Sequence, residues 1–324
     1  MQLTFDLPAQ LPKDAYAYGT RASGDTHGVV LTKPHVVELI LDLADYSSDR
    51  DLADLALLEP SCGHGAFLVA AVKRLLHSAK RRRRPPSSLR REIAAFDIDA
   101  EHVTRTKSAL LPLLLDARLR PTVASDLLDS WIQEGDFLLA PISRSFDFVI
   151  GNPPYIRIEQ LSEALQAEYR HRYRSLFDRA DLYVAFIERG LRALSTSGVL
   201  SFICADRWVS NKYGAPLRKL VSEHFKVRTY VDLHTASPFE SDVIAYPSIF
   251  VLSRGKSGTV PVVTLETASE EECRQVLEQV SHPAILPSSG VRVELYKSWF
   301  EGDDPWILSS TAHLEALRKL EARH

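Results

Sequence analysis

Apolar and polar residues alternate along the chain in blocks that predict an open α/β sheet. VVELILDLA (residues 36–44) has apolar positions at helical spacing, with Thr32 and Pro34 at its start. LALLE (55–59) is a short apolar run closed by the turn PSCGHG, and AFLVAAVKRLL (66–76) then reads as a helix. IAAFDID (93–99) is a second strand ending in acids, followed by a helix over 101–115. FDFVI (146–150) is a third strand, DLYVAFIERGLRAL (181–194) a long helix, and VLSFI (199–203), TYVDL (229–233) and SIFVLS (248–253) are later strands. This alternation predicts a doubly wound, mostly parallel sheet, whose ligands bind beyond the carboxyl ends of the strands. The acids and turns named above all fall at such ends.

Composition changes this picture little. The chain has 324 residues, 45% hydrophobic and 25% charged, which is ordinary for a globular protein. Its three cysteines form no CxxC pair, so neither a disulfide framework nor a metal site is indicated, and a reducing, cytoplasmic setting is expected. No apolar run approaches the ~20 residues of a membrane helix. Net charge is −3, but it is unevenly spread. Residues 157–228 hold 13 Lys/Arg against 8 Asp/Glu, and residues 259–324 hold 6 against 11. The basic middle makes Arg157, Arg170, Arg172, Arg174 and Arg179 candidate contacts to a DNA backbone, with a solvated helix surface as the alternative. The insert KRRRRPPSS (80–88) joins a helix end to a strand start, so it falls on the edge opposite the crevice and reads as a solvated loop, with remote phosphate contact as the alternative.

Two strand ends carry binding chemistry. In EPSCGHGAF, Gly63 and Gly65 let backbone approach a ligand closely, and the helix behind them offers free N–H groups. Glu59 would repel the phosphates of a dinucleotide. It suits a ligand with a cationic end, such as the ammonium and sulfonium of S-adenosylmethionine. Asp97, at the end of the second strand, is placed to accept from ribose hydroxyls.

The stretch FDFVIGNPPYIRIE (146–159) is the most specific signal. A strand delivers Gly151 to the crevice, and Pro153 and Pro154, with fixed φ and no N–H, keep the segment out of helix and ladder. The Asn152 and Pro153 carbonyls become acceptors held beside the ring of Tyr155. Two acceptors and an aromatic face suit a planar molecule bearing an NH₂ group.

On these motifs the chain resembles the amino-group DNA methyltransferases of restriction–modification systems, specifically N6-adenine enzymes of the gamma motif order. The likeness runs from about residue 28 to 254. It implies the class I S-adenosylmethionine-dependent methyltransferase fold and transfer to the N6 amino group of a flipped-out adenine. GVVLTKP (28–34) matches the N-terminal cofactor motif, implying Thr32 near the methionine carboxylate. EPSCGHGAF implies Glu59, Pro60, Cys62, Gly63 and Gly65 at the cofactor, and AFDID implies Asp97 and Ile98. GDFLL (135–139) implies Asp136 and Phe137 at the cofactor's adenine, with SDLL (125–128) as a competing match. NPPY implies Asn152, Pro153, Pro154 and Tyr155 in catalysis, with Asn152 also touching the cofactor. PFESD (238–242) implies Phe239 as a second ring against the target base.

NPPY-like segments also serve enzymes that methylate glutamine amides or RNA adenine, and the tetrapeptide alone does not separate these. A methyltransferase retained as a non-catalytic DNA- or partner-binding module is a further alternative. The expected organisation is an irregular segment (1–27), a catalytic domain (28–256) and an α/β C-terminal extension (257–324). That extension holds the strand VPVVTLE (260–266) and the amphipathic helix TAHLEALRKLEAR (311–323). It is short and acidic for a target-recognition domain, and reads as the start of an incomplete one, so the recognition element is expected from a missing C-terminal extension or from a separate recognition or nuclease subunit, with double-stranded DNA as partner.

Overall fold

The computed structural model describes residues 30–241, 246–256, 258–281, 290–297 and 299–308. Nine strands among them form one sheet: β1 (Leu57–Glu59), β2 (Ile93–Asp97), β3 (Ile132–Glu134), β4 (Phe146–Gly151), β5 (Leu194–Ala205), β6 (Phe225–Asp232), β7 (Pro247–Arg254), β8 (Thr259–Leu265) and β9 (Val291–Lys297). Their order is β3-β2-β1-β4-β5-β7-β6-β8-β9. Pairings from β3 to β5 are parallel, and β7 enters antiparallel between β5 and β6. The order reverses between β1 and β4, the switch point at which an open sheet leaves a crevice.

The helices are α1 (Pro34–Leu43), α2 (Ala66–Arg81), α3 (Ala100–Asp116), α4 (Pro121–Trp131), α5 (Glu163–Arg172), α6 (Tyr183–Ala193), α7 (Arg207–Ser210), α8 (Ala215–His224) and α9 (Glu270–Ser281). Alternate strand residues face opposite sides of a sheet, and the two sides need separate covers. Leu57, Phe148, Ile150, Ile249 and Val251 pack with α1 to α4 and α9 in one core. Leu58, Phe146, Val149, Phe250 and Leu252 pack with α5 to α8 in the other. The predicted strand over 260–266 is β8, which pairs with β6, so the sheet continues past residue 256 and ends in β9. The expected helix over 311–323 lies outside the described residues.

The basic insert takes the edge assigned to it, between the end of α2 and the start of β2, opposite the crevice. Its arginines meet an acidic loop: Arg81 pairs with Asp49, Arg82 lies 3.8 Å from Asp51, and Arg84 lies 2.7 Å from Asp54. Internal ion pairing thus engages three of the four arginines of this run.

Candidate active site

The turn after β1 is built to approach a ligand. Gly63 and Gly65 sit at φ +50° and +85°, the left-handed region that disfavours a side chain. A Cβ on Gly65 would also stand 3.0 Å from the Thr106 methyl group. Three bonds lock the turn to its neighbours: the Cys62 amide donates to the Phe96 carbonyl at 2.9 Å, the Gly63 amide to Asp97 Oδ2 at 2.8 Å, and the Thr106 hydroxyl to the Gly63 carbonyl at 2.8 Å. The first turn of α2 follows directly, with N–H groups that have no partner within the helix.

Glu59 lies under this turn, 1% exposed. The Leu68 amide, in the first turn of α2, donates to its carboxylate, and Oε2 is buried with no partner among the described residues. Burial, and secondarily the nearby Asp97 charge, push its pKa well above the usual carboxylate range. A buried acid in this state is suited to a cationic ligand group, which would supply the missing partner.

Asp97 is fully engaged on one side. Besides Gly63, the Asp99 amide donates to Oδ1 at 3.0 Å, and His102 Nδ1 lies 3.1 Å from the same oxygen. That hydrogen bond raises the His102 pKa against the opposing effect of burial. His102 and His64, whose rings meet edge to face at 5.1 Å, line the crevice and were not singled out by the sequence. Thr32, Pro60, Ile98, Asp136, Phe137 and Asn152 line the same space, which measures about 830 Å³ with its open mouth.

Asp136 and Phe137 follow β3, whereas Asp126 of the competing SDLL match is exposed on α4. Asp136 is half-buried, and desolvation raises its pKa, while hydrogen bonds from the Tyr169 hydroxyl and the Leu138 amide act in the other direction. Phe137 packs at 5.3 Å from Phe186 and under the Arg189 guanidinium at 4.9 Å.

Asn152 joins the two halves of the site. Its Nδ2 donates to the Val30 carbonyl at 3.0 Å and to the Thr32 hydroxyl at 3.3 Å. A carbonyl only accepts, so the atom facing Val30 is the amino nitrogen and the amide orientation is fixed. The opposite atom, Oδ1, is buried without a partner among the described residues. The Asn152 backbone carbonyl, expected to be free, instead accepts from the Ser61 hydroxyl at 3.1 Å. The segment holding Thr32 also pairs with the loop between β6 and β7: the Lys33 amide donates to the Pro238 carbonyl and the Glu240 amide to the Leu31 carbonyl, both at 2.9 Å. Phe239 is thereby brought beside Tyr155.

Those two rings meet edge to face at 6.2 Å and 84°, with Phe239 only 5% exposed. They are neighbours, but in this arrangement no base fits flat between them. The Tyr155 ring is half-buried, and its hydroxyl is fully buried without a partner among the described residues. Burial also raises the Cys62 pKa, so this thiol stays protonated and is not a nucleophile.

The five arginines divide. Arg170 donates to the Leu176 and Asp178 carbonyls at 3.0 and 2.5 Å, and Arg172 pairs with Glu168 at 2.5 Å, so both are tied within their own segment. Arg157 and Arg174 are exposed, as is Arg179, which lies 4.0 Å from Glu159.

The chain is similar to known restriction–modification methyltransferases. Residues 91–239 match the family described as Eco57I restriction-modification methylase. The chain is 41% identical over 309 residues to Type II methyltransferase M.PaeR7I of Pseudomonas aeruginosa, covering 94% of this chain and 54% of the relative. To Type II methyltransferase M.BstVI of Geobacillus stearothermophilus it is 39% identical over 316 residues, covering 94% and 56%. The chain thus spans about half the length of these curated relatives. A putative class I S-adenosylmethionine-dependent methyltransferase from Listeria monocytogenes superposes with a TM-score of 0.55 at 15% identity, over 78% of this chain and 71% of that one. The fold is that of the class I S-adenosylmethionine-dependent methyltransferases.

Proposed function

We propose that this chain transfers a methyl group from S-adenosylmethionine to the exocyclic N6 amino group of an adenine rotated out of double-stranded DNA, in a restriction–modification setting. The observation that carries this reading is the Oδ1 of Asn152, buried without a partner among the described residues and fixed in direction by Val30 and Thr32 just after β4. The similarity to Type II methyltransferases supports DNA as the substrate class.

S-Adenosylmethionine bound in the crevice supplies an electrophilic methyl group. Glu59 would meet its cationic end, Asp97 its ribose hydroxyls, and Asp136 and Phe137 its adenine, all of which line the crevice, while the Gly63 and Gly65 turn would let the backbone approach it. The amino group of adenine is a poor nucleophile because its lone pair is delocalised into the ring. Asn152 Oδ1 and the Pro153 carbonyl would accept hydrogen bonds from its two N–H groups, which favours a pyramidal nitrogen whose lone pair forms the new N–CH₃ bond as the S–CH₃ bond breaks, leaving neutral S-adenosylhomocysteine, and the surplus proton on nitrogen passes to solvent. Rotating the base out of the helix costs a few kcal/mol. Stacking on Tyr155 and Phe239 returns about 1–3 kcal/mol per aromatic contact, once the two rings move apart to admit it. No covalent enzyme intermediate is required, consistent with buried, protonated cysteines.

The test is to offer labelled S-adenosylmethionine with DNA, RNA or protein and to identify the methylated atom. Label on DNA adenine N6 is expected. Label confined to RNA adenine or to protein glutamine amide transfers the same site chemistry to one of the rival acceptors.

A further inference from the structure

A second aromatic site lies at the same end of the sheet, outside the crevice. Tyr246 is 52% exposed, yet its surroundings hold it in place. The Asp206 amide donates to the Tyr246 carbonyl at 3.0 Å, and the His234 ring meets the Tyr246 ring edge to face at 5.2 Å. The Arg207 guanidinium stands 5.8 Å from the ring centre. His234 is itself pinned: Nε2 lies 2.7 Å from Asp206 Oδ2, and its backbone amide donates to Asp232 at 2.9 Å. Asp206 is 5% exposed and also accepts from the Tyr230 hydroxyl at 2.7 Å. An exposed tyrosine braced this firmly is a preformed surface.

Topology ties this surface to the site. Pro247, next to Tyr246, pairs with Ala205 at the carboxyl end of β5, and Gly151 pairs with Phe202 on the same strand. The connection between β6 and β7 leaves with His234, carries Phe239 to Tyr155 and returns with Tyr246 to His234. A half-exposed aromatic ring with a guanidinium over it presents two groups on which an unstacked nucleobase can stack. Resting on the reading of the chain as a DNA methyltransferase, the geometry points to Tyr246, braced by His234 and flanked by Arg207, as a stacking platform. Its ligand is a DNA base left without its neighbour when the target adenine leaves the helix.

The test measures binding of a fluorescein-labelled 20-nucleotide single strand and of the corresponding duplex to the full chain, in the presence of S-adenosylhomocysteine. Tyr246→Ala should weaken binding by about ten-fold and leave the slope of affinity against salt unchanged, because it removes stacking and no phosphate contact. Tyr246→Phe should bind within two-fold of the parent. Both variants should keep the parent's affinity for S-adenosylhomocysteine, which also establishes that they are folded. Parent-like DNA affinity in Tyr246→Ala overturns the platform, whatever becomes of methyl transfer. A chain that needs Tyr246 to bind DNA but methylates no base keeps the platform and overturns the proposed function. A parent that binds neither oligonucleotide overturns both.

Discussion

The side-chain amide of Asn152 donates to the Val30 carbonyl at 3.0 Å, across 122 residues of chain. One bond thus fixes the direction of the candidate catalytic acceptor and tethers the segment holding Thr32. Asn152→Ala should lower turnover by about 100-fold or more, the scale on which a single preorganised polar group acts. It should weaken S-adenosylmethionine binding only a few-fold, through the loosened tether. Turnover and calorimetry on the same sample separate the two effects. Near-parental turnover would reduce Asn152 to a structural role.

Glu59 opposes stability to function. Its folded pKa is raised by burial, so the ionised form is penalised in the folded state. The penalty is absent below the unfolded value of about 4.3 and grows as pH rises towards the raised folded value. Glu59→Gln should therefore melt higher than the parent near pH 7, with the difference vanishing below about pH 4. The same variant should lose most of the thermal shift that S-adenosylmethionine gives the parent. Melting curves with and without ligand from pH 4 to 8 check both. A variant less stable at pH 7 that still binds would contradict the assignment.

The Tyr155 hydroxyl is buried without a partner among the described residues, while the ring sits against Phe239. Removing an unsatisfied buried hydroxyl costs nothing and can recover about 1–3 kcal/mol. Tyr155→Phe should be as stable as the parent or more so, with turnover within a few-fold, and Tyr155→Ala should lose most activity. Thermal melts and initial rates are the readout. A severe loss in Tyr155→Phe would show that the hydroxyl takes part.

Much of the site is legible in the sequence because each chemical turn directly follows an apolar run. Glu59, Asp97 and Asn152 were located that way, and the sheet order brings all three to one crevice. Other features leave little local trace. β3 is three residues long with only Ile132 buried, so neither length nor alternation marks it. α5 is polar and buries only Leu165 and Tyr169. The tether from Asn152 to Val30 and the pairing of Lys33 with Pro238 join distant segments and have no local pattern at all. His102 gains its position only when α3 packs behind Asp97.

Charge counting likewise sees arginines but not their partners. Arg170 and Arg172 are bound within their own segment, whereas Arg174 and Arg179 are exposed. Arg170→Glu should lower the melting temperature with an effect on DNA binding no larger than the fold loss explains. The double variant Arg174→Glu/Arg179→Glu should keep the parental melting temperature and flatten the dependence of DNA affinity on salt. An unchanged salt slope would leave those two arginines as solvated surface.

The most direct test of the central claim follows the methyl group itself. Duplex DNA is incubated with the chain and S-adenosylmethionine carrying a trideuterated methyl group, then digested to nucleosides and weighed by mass spectrometry. The expected product is deuteromethylated deoxyadenosine substituted at N6, formed by the parent and essentially absent with Asn152→Ala. Label on cytosine, or equal label on adenine with both proteins, would contradict the account.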